Sequence, residues 1–151
     1  MVLKKKAQLV LKVTEEEKKL IEDMIETFPL VDGVGLAAPQ VGVSRRIAVV
    51  KDMDEDKILV LVNPVVIKKS GRASGQEGCL SLPGFTCNLK RWKEITIRYA
   101  DIEGKTVTLE AKNLLARIIQ HELDHLNGIL IVDRVSFFKR HAALMRFVKL
   151  K

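Results

Sequence analysis

Aromatic side chains are scarce in this chain: one tryptophan, one tyrosine and five phenylalanines among 151 residues. A core built here must be mostly aliphatic, and 47% hydrophobic residues suffice for one domain to fold without staples. Cysteine is scarcer still. Cys79 and Cys87 alone are too few for a bridged secreted scaffold and fit a reducing cytosol better. No apolar run approaches the length of a membrane span, and Lys4, Lys5 and Lys6 interrupt the N-terminus too soon for a signal peptide. Repeats, low-complexity tracts and linkers are missing too. The expectation is a single soluble, cytoplasmic domain over residues 1–151, a monomer with no membrane contact.

RRM, KH and zinc-finger signatures are also lacking. A net charge of +7 attracts polyanions such as ribosomal RNA, but a solvated lysine-rich surface is the simpler explanation of a charge of this size. The basic surface is therefore only a candidate for ribosome association.

The elements that are present read clearly at the two helices. Thr14-Glu15-Glu16-Glu17 forms a capping box, and Leu20, Ile21, Met24, Ile25 and Phe28 follow at helical spacing, predicting a helix over residues 15–28. A second apolar face made by Leu114, Leu115, Ile118, Ile119, Leu123 and Leu126 predicts a helix over 112–126, stopped by Asn127-Gly128. Between them, β-branched runs at 46–51, 58–62 and 65–68 predict strands separated by Asp-rich and Asn-Pro breaks. Runs at 95–100 and 105–110 flank a hairpin turn, and 129–132 reads as a short strand. Residues 31–42 read as a shaped loop with room for a short strand, and 137–150 as a short amphipathic C-terminal helix. The fold class is α+β: antiparallel β-sheets packed around a central helix, with an N-terminal and a short C-terminal helix.

That central helix carries His121-Glu122-Leu123-Asp124-His125, the HExxH pattern. His121 and His125 lie one turn apart on one face, so both imidazoles can bind one ion, with Glu122 beside them as a base. A catalytic site needs a third ligand. The metzincin pattern would place a histidine where Ile131 stands, and no glutamate follows Glu122. Asp133 and His141 remain downstream, and His141 reads better as a surface or packing residue. Upstream, Cys79 lies in Gln76-Glu77-Gly78-Cys79-Leu80-Ser81-Leu82-Pro83, an irregular stretch able to present a thiolate. Cys87 reads as a small buried hydrophobe.

A third stretch, Gly33-Val34-Gly35-Leu36-Ala37-Ala38-Pro39-Gln40, is dense in small residues that let a backbone or substrate come close, and Gln40 projects an amide from its rigid turn. Taken together, GxGxAAPQ, EGCLS and QHExDHLxG resemble the three motifs of the peptide deformylases, in the family's order and spanning residues 33–128. The resemblance implies a hydrolase removing the N-formyl group from the starting methionine of nascent polypeptides, with release of formate. It implies a divalent ion held by Cys79, His121 and His125. Fe²⁺ is the usual ion, and Ni²⁺, Co²⁺ and Zn²⁺ suit the same donors. It further implies Glu122 as proton acceptor, Gln40 and the Leu80 N–H as oxyanion donors, and an extended peptide pairing with the Gly35 and Gly78 regions.

Helical geometry adds Ile118 and Leu114, three and seven residues before His121, as candidates for an apolar methionine pocket with Val34, with ordinary core packing as the alternative for each. Arg91 is expected to pair with Glu77, Asp124 or both, either clamping the Cys79 segment to the helix or forming only a surface ion pair of little worth. Two departures from the family pattern stand out. Residues 1–13 lack its Pro-x-Leu-Arg-like segment, and 84–87 offer no arginine. The competing readings are a metalloprotease completed by Asp133 or His141, and a basic RNA-binding protein with a structural metal.

Overall fold

A computed structural model describes the backbone of residues 2–28, 33–79, 82–135, 141 and 145, and their side chains except at 79, 82 and 83. The first helix, α1 (Glu15–Thr27), starts where the capping box predicts: the Glu17 carboxylate accepts from the Thr14 N–H at 2.9 Å and from its hydroxyl. Ile21 and Met24 on one face are fully buried, and Phe28 closes the helix.

Five strands follow among the described residues: β1 (Gly35–Ala37), β2 (Ile47–Asp52), β3 (Lys57–Cys79), β4 (Leu82–Ala100) and β5 (Thr106–Lys112). They form one antiparallel sheet in sequence order. The second helix, α2 (Asn113–Leu126), comes directly off β5. Alternation along β2 sorts its side chains onto two faces. Ile47 and Val49 pack with Ile21 and Met24 of α1 and with Phe28 at its end. Val50 packs with Ile95 and Ile97 of β4 and Ile118, Ile119 and Leu123 of α2. The sheet thus lies between α1 and α2, and its aliphatic core is split into two layers. No helix of the described residues is long and apolar enough to cross a membrane.

Three differences from the sequence reading have physical causes. Asn63-Pro64 does not divide the strand. Asn63 takes φ +52 at a register shift, and its side-chain amide closes a two-bond ring with the backbone of Val10 (2.9 and 2.7 Å), so the break becomes a bulge within β3. Residues 69–78 continue β3 and pair with β4, so the stretch before Cys79 is strand, while at Cys79 the register shifts, Gly78 facing Thr86 and Cys79 facing Leu82. Residues 131–134 form a 3-10 turn where a strand was expected, because the Asp133 carboxylate accepts from the Leu130 N–H at 2.9 Å and curls the chain. The expected tail helix over 137–150 lies outside the described residues, apart from His141 and Met145, which are helical.

The end of α2 is fixed from two sides. Arg46, buried just before β2, donates to the Leu126 carbonyl at 2.9 Å and to the Asn127 side chain at 3.0 Å. Gly128 has φ +73, and a Cβ there would stand 2.6 Å from the Lys4 carbonyl oxygen. The N-terminal segment crosses the helix end at that point, and Ala7 N–H donates to the Leu126 carbonyl at 2.8 Å.

Candidate metal centre and catalytic site

Helix α2 brings His121, Glu122 and His125 together by its own geometry. The two Nε2 atoms lie 3.3 Å apart, with the rings edge to face at 69°. Two nitrogens about 2.0–2.1 Å from one tetrahedral ion stand about 3.3–3.4 Å apart, so the spacing fits a shared ion. The Nδ1 of His121 meets Glu77 Oε1 at 3.1 Å. A carboxylate only accepts, so that nitrogen is the donor and Nε2 keeps its lone pair for a metal.

Among the residues whose side chains are described, no third His, Cys, Asp or Glu completes a metal-binding cluster. The backbone of Cys79 ends β3, two residues beyond Glu77, opposite Leu82. Its side chain and the whole of Leu80 lie outside the described residues. Asp133, the downstream alternative, is engaged elsewhere: besides capping Leu130 it pairs with Lys4 Nζ at 2.6 Å.

Glu122 is buried, and β1 passes directly over it. A Cβ added to Gly35 would stand 2.6 Å from Glu122 Oε1 and 3.0 Å from its Cδ, so only glycine lets the strand lie so close. From β1 the chain turns into a 3-10 segment, Ala38–Val41, entered through Pro39 and closed by Gly42 at φ +85. This turn folds Gln40 back so that its Oε1 accepts from the Ala37 N–H at 2.8 Å. That bond fixes the amide plane and defines Nε2 as its donor end.

Behind the histidines lies a buried ionic chain. Arg91 reaches Glu77 through Nε and Nη2 (2.9 and 2.8 Å) and Asp124 through Nη1 (2.7 Å). The expected clamp therefore engages both carboxylates. Burial alone would raise the Glu77 carboxyl, but hydrogen bonds from Arg91, His121 and Arg117, with the charge of Arg91, outweigh it and hold the group at about 2. Burial likewise acts against the charge on Arg91, but Glu77 and Asp124 raise its pKa above the ordinary value.

Three contributors escaped the sequence reading. Arg117 donates to Glu77 at 2.7 Å, Arg134 binds Asp124 through Nε and Nη2 at 2.5 and 2.6 Å, and Gln120 makes paired bonds to the Trp92 backbone. Only the i−4 spacing of Arg117 from His121 could have suggested one of them. The pocket candidates differ in setting: Ile118 is buried in the layer between α2 and the sheet, whereas Leu114 and Val34 are exposed apolar groups.

The family model of polypeptide deformylase matches residues 1–141. A peptide deformylase of Thermodesulfovibrio yellowstonii is 45% identical over 149 residues, covering 97% of this chain and 90% of that protein. One from Dictyoglomus thermophilum is 51% identical over 133 residues, covering 88% and 86%. Among solved structures, the peptide deformylase from Ehrlichia chaffeensis in complex with actinonin superposes with a TM-score of 0.95 at 35% identity, covering 99% of this chain and 92% of that one. The enzyme from Thermus thermophilus gives 0.88 at 42% identity, covering 98% and 92%.

Proposed function

Because this chain belongs to the peptide deformylase family, we infer that it hydrolyses the N-formyl group from the terminal methionine of nascent polypeptides. Water adds to the formyl carbon, the C–N bond breaks, and formate and a free amine leave. The observation that carries the reading is the pair of imidazole nitrogens 3.3 Å apart on the turn that holds buried Glu122, with Gly35 lying over its carboxylate. A structural metal site has no use for that base, which argues against the RNA-binding alternative.

The family is metal-dependent, and the donors proposed here are the Cys79 thiolate with His121 and His125. Fe²⁺ is the proposed native ion, and Ni²⁺, Co²⁺ or Zn²⁺ would suit the same set. Such an ion, when bound, supplies Lewis acidity and brings the ionisation of water towards neutrality. Glu122 takes the proton of the attacking water and returns it to the departing amine. Gln40, its carbonyl end anchored on Ala37, turns its amide hydrogens towards the oxygen that gains charge, and the Leu80 N–H is proposed as a second donor.

The substrate backbone is proposed to lie extended along the Gly35 and Gly78 regions, as an added strand. Val34 and Leu114 take the methionine side chain at the surface, with Ile118 beneath. The close walls at Gly35 and Ala37 suit a formyl hydrogen and exclude an acetyl methyl. Arg91, Glu77 and Asp124 tie the Cys79 segment to α2. The reading extends to a cytoplasmic monomer whose positive charge favours ribosomal RNA as a neighbour.

The decisive assay is anaerobic hydrolysis of formyl-Met-Ala-Ser after loading with Fe²⁺, Ni²⁺ or Zn²⁺. Formate release that chelation abolishes and metal restores is expected. Equal turnover of the N-acetyl peptide would remove the specificity argument.

A further inference from the structure

Arg117 has no place in the chemistry so far, yet it touches the same carboxylate as His121. It stands one turn before His121 on α2, and its guanidinium spans both long strands. Nη2 donates to the Ala73 carbonyl at 2.7 Å on β3, while Nη1 donates to the Leu89 carbonyl at 3.0 Å on β4 and to Glu77 Oε2 at 2.7 Å. Glu77 therefore has two independent anchors. Arg91 grips both of its oxygens but is itself drawn towards Asp124, on which Arg134 also pulls. Arg117 instead rests on strand carbonyls that do not belong to that chain of charges. The other oxygen of Glu77, Oε1, is the one facing His121 Nδ1 at 3.1 Å.

Gly75 makes an independent case. It lies inside β3 with no left-handed φ to require glycine, and glycine weakens a strand interior. Its reason is spatial: a Cβ there would stand 2.9 Å from both Cζ and Nε of Arg117. The bare backbone at 75 is the bed on which the guanidinium lies.

We propose that Arg117, seated on Gly75, is a positioning residue that holds Glu77 in line with His121 Nδ1 and so aims the Nε2 lone pair at the ion. The proposal rests on the metal site proposed above and adds a residue that governs how tightly it is held. An arginine that merely bolts α2 to the hairpin would affect melting temperature but not affinity for metal.

The experiment is competition for Zn²⁺ between the whole chain and a chromophoric chelator, with melting temperature recorded beside it. Arg117→Met is expected to weaken Zn²⁺ binding about tenfold or more, as loss of outer-shell support typically does. Arg117→Lys, which keeps the charge on Glu77 but cannot reach both carbonyls, should recover part of that loss. Gly75→Ala retains every charge and displaces the guanidinium, so it should weaken binding too, and it carries the test if the methionine variant does not fold. Zn²⁺ affinity within twofold of the parent in the folded variants, with a lowered melting temperature, would overturn the proposal. His121→Ala in the same assay separates the two readings: parent-like binding there would overturn the metal site itself. Absent formyl-peptide hydrolysis by the parent would overturn the functional reading and leave the affinity comparison standing.

Discussion

Glu122 and Gln40 divide the proposed chemistry into two separable contributions. Glu122→Gln keeps the size of the side chain under Gly35 and removes the proton acceptor. Turnover should fall about 10²- to 10⁴-fold, the usual share of general acid–base catalysis, with metal content unchanged. Metal analysis beside formate release checks this, and unaltered turnover would rule out Glu122 as the base. Gln40→Ala leaves base and metal donors in place but deletes a fixed donor. A loss of about 10²- to 10³-fold in kcat is expected, with KM for the formyl peptide little changed. A change confined to KM would make Gln40 a substrate-binding group instead. At this scale the sequence was informative where spacing or charge fixes geometry: the paired imidazoles of the HExxH turn and the Glu77–Arg91–Asp124 group. Gln40 became a candidate donor only through its motif, and it accepts a bond from local backbone, the Ala37 N–H. Arg117 and Arg134 were illegible because an arginine on a helix or after one reads as a solvated charge until its partner is known, the two strands for Arg117 and Asp124 of α2 for Arg134.

Elements were legible in proportion to how one-sided their burial is. Helix α1 and helix α2 each carry an apolar stripe, and their ends fell within a residue or two of the capping and stop signals. The long hairpin of β3 and β4 has no such stripe beyond Lys68. Lys68, Lys69, Ser70, Gly71 and Arg72 are all exposed, so hydrophobic alternation vanishes although backbone pairing with β4 continues. Tertiary contacts hold that stretch, and Gln120 is one of them. Its amide accepts from the Trp92 N–H at 2.9 Å and donates to the Trp92 carbonyl at 2.8 Å, where β5 no longer flanks β4. Gln120→Ala strips both partners from a half-buried strand edge and should lower stability by about 2 kcal/mol, the cost of stranding buried polar groups. Urea unfolding of the metal-free chain measures this. An unchanged midpoint would show that water satisfies Trp92 equally well.

Over the whole molecule, the ionic chain through Glu77 links α2 to both long strands, so its protonation should be visible in global unfolding. The native Glu77 carboxyl sits at about 2, below the ordinary glutamate value of 4.5. Between those values the unfolded chain binds a proton that the native one does not, so stability falls as pH falls. The contribution is complete above about pH 4.5 and is lost on descending through about pH 2; a shift of this size corresponds to about 3 kcal/mol. Glu77→Gln removes that dependence at the cost of leaving Arg91 and Arg117 without their shared counter-charge, which should cost about 3–5 kcal/mol at neutral pH. Metal-free parent and variant should therefore differ most at pH 7 and draw together towards pH 2 in urea titrations. Metal must be absent, because protonation of the histidines and the thiolate would otherwise release it over an overlapping range. Parallel curves for parent and variant between pH 5 and 2 would place the acid sensitivity of the fold in other carboxylates, and coincident curves would also remove Glu77 from the interactions that join helix to hairpin.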